Sequence, residues 1–205
     1  MRTAISSPSS SFGCRLYTVR RHRLAVERFF VIDSQEFVIL VDETDQETGT
    51  AGKLDAHQRG VLHRAFSVMV WDRHGRLLLQ QRAIGKYHSG SLWTNTACGH
   101  PRPGEPLASA AARRLQEEMG FGCALAPLNH MIYRADVGNS LTEHEFVHVF
   151  AGHYDGSVKP DPAECDGYSW VEPQEFKTGV ADAPHLYTAW FRKYVAAGWP
   201  VERKL

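Results

Sequence analysis

The sequence predicts an α/β (α+β) fold, with mixed β-sheets packed between helices. Three observations carry that reading. Apolar runs of strand-like composition recur along the chain, notably at residues 37–41, 61–70 and 141–151. One segment instead repeats its apolar residues every fourth position, as a helix buried on one face requires. The chain has 205 residues, 43% hydrophobic and 22% charged, which suits one domain with a sizeable core rather than a disordered or fibrous chain.

Residues 1–33 stand apart as a basic extension, a targeting segment or a misplaced start, and residues 34–205 form the expected domain. Arg2, Arg15, Arg20, Arg21, Arg23 and Arg28 face a single acid, Glu27, and serines crowd the beginning. The first strand is expected at Phe37-Val38-Ile39-Leu40-Val41. Residues 42–52 are polar with two glycines and read as a loop. The strand at 61–70 turns at Asp72-Arg73-His74-Gly75 into a partner at 76–81, a hairpin pattern. Residues 83–104 are rich in Gly, Pro and Asn and read as a long ordered loop.

The clearest helix follows. Pro106 suits its first turn, where the missing N–H has no helical partner to lose. Leu107, Ala111, Leu115 and Met119 make its apolar face, and Gly120 supplies the stop. Ile132-Tyr133 begin another strand, 141–151 a longer one, and 168–171 a short last one. A terminal helix is expected at 184–197.

Composition excludes several classes. Lys+Arg and Asp+Glu both number 23, so the formal net charge is zero and a nonspecific nucleic-acid binder is not expected. No apolar run approaches the ~18 residues of a membrane span, so no stable membrane insertion is expected. Cys14, Cys98, Cys123 and Cys165 form neither a CxxC pair nor a disulfide framework. That usage fits a reducing compartment. A cytoplasmic location is expected, with organellar targeting by residues 1–32 the alternative. The oligomeric state is left open, a monomer being the simplest expectation.

Two constellations carry chemistry. The first is Gly99-His-Pro-Arg-Pro-Gly-Glu105, seven residues, then Arg113-Arg114-Leu115-Gln116-Glu117-Glu118-Met119-Gly120-Phe121. Arg114 and Glu118 are four apart and share a helix face, as do Arg113 and Glu117. An arginine beside a carboxylate makes sense if one binds phosphate oxygens and the other a magnesium ion bridging them. The bland alternative is a solvated face of ion pairs. The second constellation joins His57, His63 and His100 to Glu143 and Glu145. The two glutamates are two apart in a strand, so both point to one face, while His144 and His148 point to the other with Phe146 and Phe150. Adjacent carboxylates repel unless a cation or proton intervenes. Three nitrogens and several oxygens suit six-coordinate Mn²⁺ or Mg²⁺, whereas Zn²⁺ usually takes four ligands. His22, His74, His88, His130, His144, His148, His153 and His185 are read as surface or packed residues.

The first pattern resembles the Nudix box, with Arg114 where the hydrolases have a metal-binding glutamate. More narrowly, the chain is similar to the type I isopentenyl-diphosphate Δ-isomerases, a branch of that superfamily. The matching stretches are Gly49-Thr50, Lys53-Leu-Asp-Ala-His57, Leu62-His-Arg-Ala-Phe-Ser67, Gln81-Arg82-Ala83 with Lys86, Trp93-Thr-Asn-Thr-Ala-Cys-Gly-His100, Tyr133, Glu143-His-Glu145 and Trp190. They span about residues 36–192, and Arg114 agrees with the isomerases.

The resemblance implies a Nudix-like fold and metal-dependent interconversion of isopentenyl and dimethylallyl diphosphates, which supplies isoprenoid biosynthesis. Cys98 and Glu145 would be the proton-transfer groups, Tyr133 a hydrogen-bonding partner of that carboxylate, and Trp190 a π face for a carbocation. His57, His63, His100, Glu143 and Glu145 would hold a first metal, Mn²⁺ or Mg²⁺, with Zn²⁺ an alternative. Glu118 and the Cys98 carbonyl would hold a second, Mg²⁺. Lys53, Arg82, Lys86 and Arg114 would bind the diphosphate of a small prenyl substrate. The competing readings are a Nudix hydrolase of a diphosphate and a non-catalytic Nudix binding domain.

Overall fold

A computed structural model describes residues 36–199. The readings for residues 1–33 lie outside the described residues. Strands β1 (Phe37–Val41), β2 (Glu47–Gly52), β3 (His63–Trp71), β4 (Leu77–Arg82), β5 (Trp93–Thr94), β6 (Ala97–Gly99), β7 (Leu125–Asp136), β8 (Thr142–His153) and β9 (Cys165–Val171) form one mixed sheet. Helices α1 (Lys53–Arg59), α2 (Leu107–Met119), α3 (Pro173–Asp182) and α4 (Ala189–Ala196) accompany it. The expected α/β architecture of mixed strands between helices is the one observed.

The centre of the sheet is β3. It runs parallel to β8, from His63 opposite Glu145 to Trp71 opposite His153. On its other side it pairs antiparallel with β6, Ser67 opposite Cys98. Paired residues share a face of a sheet, and alternate residues of one strand do so too. One face of β3 and β8 therefore presents Ala65, Met69, Trp71, Val147 and Val149. These pack on Phe176 of α3 and on Trp190, Phe191 and Tyr194 of α4. The opposite face presents Phe66, Val68, Val70 and Phe150 to Ala110, Ala111, Leu115 and Met119 of α2. Both faces of β3 are covered, and its sequence HRAFSVMVW is accordingly apolar almost without alternation.

Several boundaries differ from expectation. The segment 42–52 is not all loop: Glu47–Gly52 is strand β2, paired antiparallel with β1 in the register Phe37–Gly52. Its sequence, ETGTAG, has two strand-favouring threonines but also two glycines and no apolar alternation, and the ladder to an apolar neighbour decides its conformation. The expected loop 83–104 contains the short strands β5 and β6. The expected terminal helix is broken: a 3₁₀ turn spans Pro184–Leu186, and Thr188 caps α4 by accepting from the Phe191 amide at 3.4 Å. The strand near Ile132 begins earlier, at Leu125, and the last strand at Cys165. Helices α1 and α3 have no counterpart in the sequence reading.

Helix α2 is as expected. Pro106 is its N-cap, Leu107 is half-buried, and Ala111, Leu115 and Met119 are fully buried. Gly120 ends it at φ 73°, donating its amide to the Gln116 carbonyl at 3.0 Å.

Candidate active site

One cavity of about 660 Å³ is lined by residues of the sheet, of α2 and of α4. Its chemistry follows from strand register. Glu145 of β8 is opposite His63 of β3 and opposite Tyr133 of β7. Ser67 stands four residues beyond His63 on the same face, and Cys98 is its cross-strand partner. Glu143 lies two residues before Glu145. All six side chains project from one face of the sheet. His144 and His148 point the other way, as expected: His144 Nδ1 is 3.0 Å from the Gly60 carbonyl and His148 Nε2 is 2.9 Å from Asp45.

Helix α1 brings His57 to this face, and the turn after β6 brings His100. His57, His63, His100 and Glu143 each offer a ligand atom within 4.8 Å of the others. His57 Nδ1 donates to the Lys53 carbonyl at 2.6 Å, and His63 Nδ1 to the Val61 carbonyl at 2.9 Å. Both Nε2 atoms are thereby aimed inward. His57 Nε2 lies 3.2 Å from Glu143 Oε2, off the line a hydrogen bond needs, so both atoms are buried without a hydrogen-bond partner. His63 Nε2 and His100 Nε2 approach to 3.2 Å. Inward lone pairs beside a carboxylate are the donor set a divalent cation takes. Glu145 adjoins this cluster, with Oε1 3.0 Å from His100 Nε2 and 3.9 Å from His63 Nε2. Glu118 stands apart from it. Its Oε2 accepts from the Gln80 amide at 2.6 Å and its Oε1 from Arg114 at 2.7 Å.

Burial sets the protonation states. It pushes His63 down to about 4, helped by the neighbouring His57 charge. It pushes Cys98 up to about 12, with Glu118 adding to it, so the thiol keeps its proton at neutral pH. Burial and the Glu143 charge together hold Glu145 well above the usual carboxylate range. Burial alone would raise Glu143 as well, but His57 and His88 outweigh it and hold Glu143 low. Tyr133 donates its hydroxyl to Glu145 Oε2 at 2.6 Å and is itself pushed well above its ordinary value, chiefly by burial.

Cations also line the cavity. Arg82 is buried, with its guanidinium 5.2 Å from the Trp190 ring centroid and one hydrogen bond, at 3.3 Å, to the His88 carbonyl. Lys53 pairs with Glu36 at 3.1 Å. Lys86 and Arg114 both contact Glu164, Arg114 at 3.2 Å. Burial opposes the Arg114 charge, yet Glu118 and Glu164 hold it above its ordinary range.

The candidates read from sequence thus converge on one cavity. Lys53, Arg82, Lys86, Cys98, His100, Arg114, Glu118, Tyr133, Glu143, Glu145 and Trp190 line it, and His57 and His63 are buried at its base. Two residues were missed. His88, read as a surface or packed residue, is 4% exposed and lies 3.1 Å from Glu143 Oε1. Glu164 lies far along the chain from the cations it meets, in a Pro- and Asp-rich turn with no periodic signal.

A NUDIX domain model matches residues 61–191. The chain belongs to the Nudix family. Within it, the chain is 52% identical over 168 residues to the isopentenyl-diphosphate Delta-isomerase of Burkholderia multivorans, covering 82% of this chain and 96% of that protein. It is 53% identical over 156 residues to isopentenyl-diphosphate Delta-isomerase 2 of Aromatoleum aromaticum, covering 76% and 82%. Identity at this level over most of both chains makes it an enzyme of the isopentenyl-diphosphate isomerase type. The resemblance is corrected in one respect. The matches support a Nudix-fold homologue of isopentenyl-diphosphate isomerases and not the narrower type I assignment.

Solved structures confirm the architecture alone. DR0079 of Deinococcus radiodurans superposes with a TM-score of 0.67 at 18% identity, covering 80% of this chain and 100% of that one. A MutT protein of Methanosarcina mazei gives a TM-score of 0.53 at 20% identity, covering 66% and 91%. Among the described residues no helix is long and apolar enough to cross a membrane.

Proposed function

We propose that this Nudix protein interconverts isopentenyl and dimethylallyl diphosphates by 1,3-allylic proton transfer, with Cys98 and Glu145 as the two proton-transfer groups. The observation that supports this most is register. A thiol on β6 and a tyrosine-held carboxylate on β8 project into one cavity from opposite sides of β3. That is the placement needed to add a proton at one end of a flat allylic unit and remove one at the other.

The proton count balances. One proton is added to the terminal CH₂ and one leaves C2, so the double bond moves and the two protein groups exchange roles. The reverse reaction exchanges them again. The Tyr133 hydrogen bond to Oε2 holds the Glu145 carboxyl in place at the cavity. Trp190 offers a π face to the positive charge that develops on the tertiary carbon.

Lys53, Arg82, Lys86 and Arg114 bind the diphosphate, which takes several cations to leave water. Holding the inert headgroup positions the small apolar tail. Burial of Cys98, Glu145 and Tyr133 keeps water from a cation it would trap. The unpartnered Nε2 of His57 and Oε2 of Glu143 suit a first ion, Mn²⁺ or Mg²⁺, which His57, His63, His100, Glu143 and the adjoining Glu145 would hold. Glu118 and the Cys98 carbonyl would hold Mg²⁺. When bound, such ions supply the positive charge that lets adjacent carboxylates ionise and screens the diphosphate.

Proton NMR of the protein with isopentenyl diphosphate and Mg²⁺ in D₂O tests the reading. Deuterated dimethylallyl methyl signals with wild type, and none with Cys98→Ala, are expected. Phosphate release without isomerisation would favour hydrolysis, against which Arg114 in place of a metal-binding glutamate already argues. Full activity of Cys98→Ala would remove its role.

A further inference from the structure

We infer that His88 is a positioning residue for Glu143, holding one carboxylate oxygen so that the other is presented to the histidine cluster. The inference rests on the metal reading of that cluster and adds a residue the sequence reading passed over.

Glu143 has two oxygens with different surroundings. Oε1 lies 3.1 Å from His88 Nε2. Oε2 lies 3.2 Å from His57 Nε2 and has no hydrogen-bond partner. A buried carboxylate oxygen without a partner is costly unless something else satisfies it. Oε2 faces a histidine of the cluster and is the ligand atom, whereas Oε1 faces His88, which lies outside the cluster, and is the anchor.

The ring of His88 is set up for the anchoring role. Its Nδ1 is 3.1 Å from the Ser89 hydroxyl, which can donate to it and leave the proton on Nε2, facing Glu143. Ser89 adopts a left-handed φ of 53°, which folds its hydroxyl back toward the preceding ring. The backbone of His88 is held as well, because its carbonyl accepts from Arg82 at 3.3 Å. Trp190 stands edge-on to the ring with centroids 6.0 Å apart. His88 therefore touches the metal-side carboxylate, a substrate-side arginine and the aromatic wall at once. Groups that orient ligating side chains are worth roughly 10- to 100-fold in metal affinity.

The test uses the full-length protein, freed of metal and titrated with Mn²⁺ by calorimetry, and the visible spectrum of the Co²⁺-loaded protein. Variants are His88→Leu, which has no donor, and His88→Gln, whose amide reaches the place of Nε2. The leucine variant is expected to bind Mn²⁺ roughly 10- to 100-fold more weakly and to change the Co²⁺ bands. The glutamine variant is expected to restore both to near wild type. Unchanged affinity and spectrum in His88→Leu would overturn the inference and leave the metal site standing. Failure of wild type to bind at the cluster would remove the metal reading instead.

A measurement on wild type covers the case in which the leucine variant does not fold. In ¹⁵N-histidine NMR, the signal absent from His88→Gln is expected to show the Nε2–H tautomer. The Nδ1–H tautomer would overturn the inference.

Discussion

His63 and Glu145 sit directly opposite each other across the parallel β3–β8 pair, with Nε2 and Oε1 3.9 Å apart. Tyr133 is opposite the same glutamate on β7. Glu145 is thus flanked by an imidazole on one side and a phenol on the other, three strands abreast. This explains how one carboxylate can border both a histidine cluster and a reaction cavity. Each neighbour is fixed by backbone register, so neither depends on a flexible loop.

Tyr133→Phe removes the 2.6 Å hydrogen bond to Glu145 Oε2 and little else. With Glu145 ionised beside a bound cation, such a hydrogen bond would be worth about 1.5–3 kcal/mol. If that interaction is realised in the transition state, kcat should fall about 10- to 100-fold. The KM should stay near wild type, since the lost hydrogen bond is to Glu145 and not to Lys53, Arg82, Lys86 or Arg114, the proposed diphosphate binders. Steady-state kinetics check this, with thermal unfolding to show an intact fold. An unchanged kcat would make the tyrosine packing only.

Much of this site was legible because its chemistry obeys period two or period four. Glu143 and Glu145 had to share a face of a strand, and Arg114 and Glu118 a face of α2. The hairpin at Asp72–Gly75 and the stop at Gly120 were equally local. What escaped is non-local. Strand β2 exists because β1 offers it a ladder, not because ETGTAG prefers one. His88 lies in an irregular loop, where spacing says nothing about direction, and only the folded chain carries it to Glu143. Glu164 meets Lys86 and Arg114 through tertiary packing across distant segments. The break at Tyr187 between the 3₁₀ turn and α4 was hidden by an apolar pattern that both halves share.

The Cys98 thiol should react slowly with alkylating reagents although it lines the cavity. Its protonated form is favoured up to about pH 12, so the thiolate is scarce at neutral pH. The sign is clear: an acid with a raised pKa loses its proton later. Rate constants for iodoacetamide at Cys98, followed by peptide mass mapping, should keep rising tenfold per pH unit beyond pH 9. A plateau near pH 8.5, the ordinary thiol range, would contradict the burial effect.

Gly120→Ala should destabilise the protein without touching a site residue. Gly120 is left-handed at φ 73°, and a Cβ there would collide with the Lys159 carbonyl. The left-handed conformation alone costs a non-glycine residue about 1–2 kcal/mol. The backbone contact cannot rotate away, and the Lys159 amide is tied to the Met119 carbonyl at 3.1 Å. A total loss above about 2 kcal/mol is expected in urea unfolding. Because α2 carries Arg114 and Glu118, activity at low temperature should survive while the midpoint falls. A neutral substitution would mean the helix end shifts freely.

Glu105 should account for part of the acid sensitivity of folding. Its carboxylate accepts from Arg113 Nε at 2.7 Å and Nη2 at 2.8 Å, and from the Arg102 amide at 2.9 Å, tying the loop before α2 to the helix itself. The Arg113 hydrogen bonds hold it at about 2, below its ordinary 4.5. A carboxyl group whose folded pKa is depressed adds stability above its unfolded value and loses it as pH falls toward the folded one. The window is therefore about pH 4.5 down to about pH 2. Discounted for its partial contact with water, the bidentate pair should contribute about 1–2 kcal/mol at neutral pH. Glu105→Gln should lower stability by that amount at pH 7. Its gap to wild type should close as pH approaches 2, since wild type is by then also losing the charge. Urea unfolding of both proteins across this range measures the gap, and one that stayed constant with pH would show that the pair contributes through packing rather than charge.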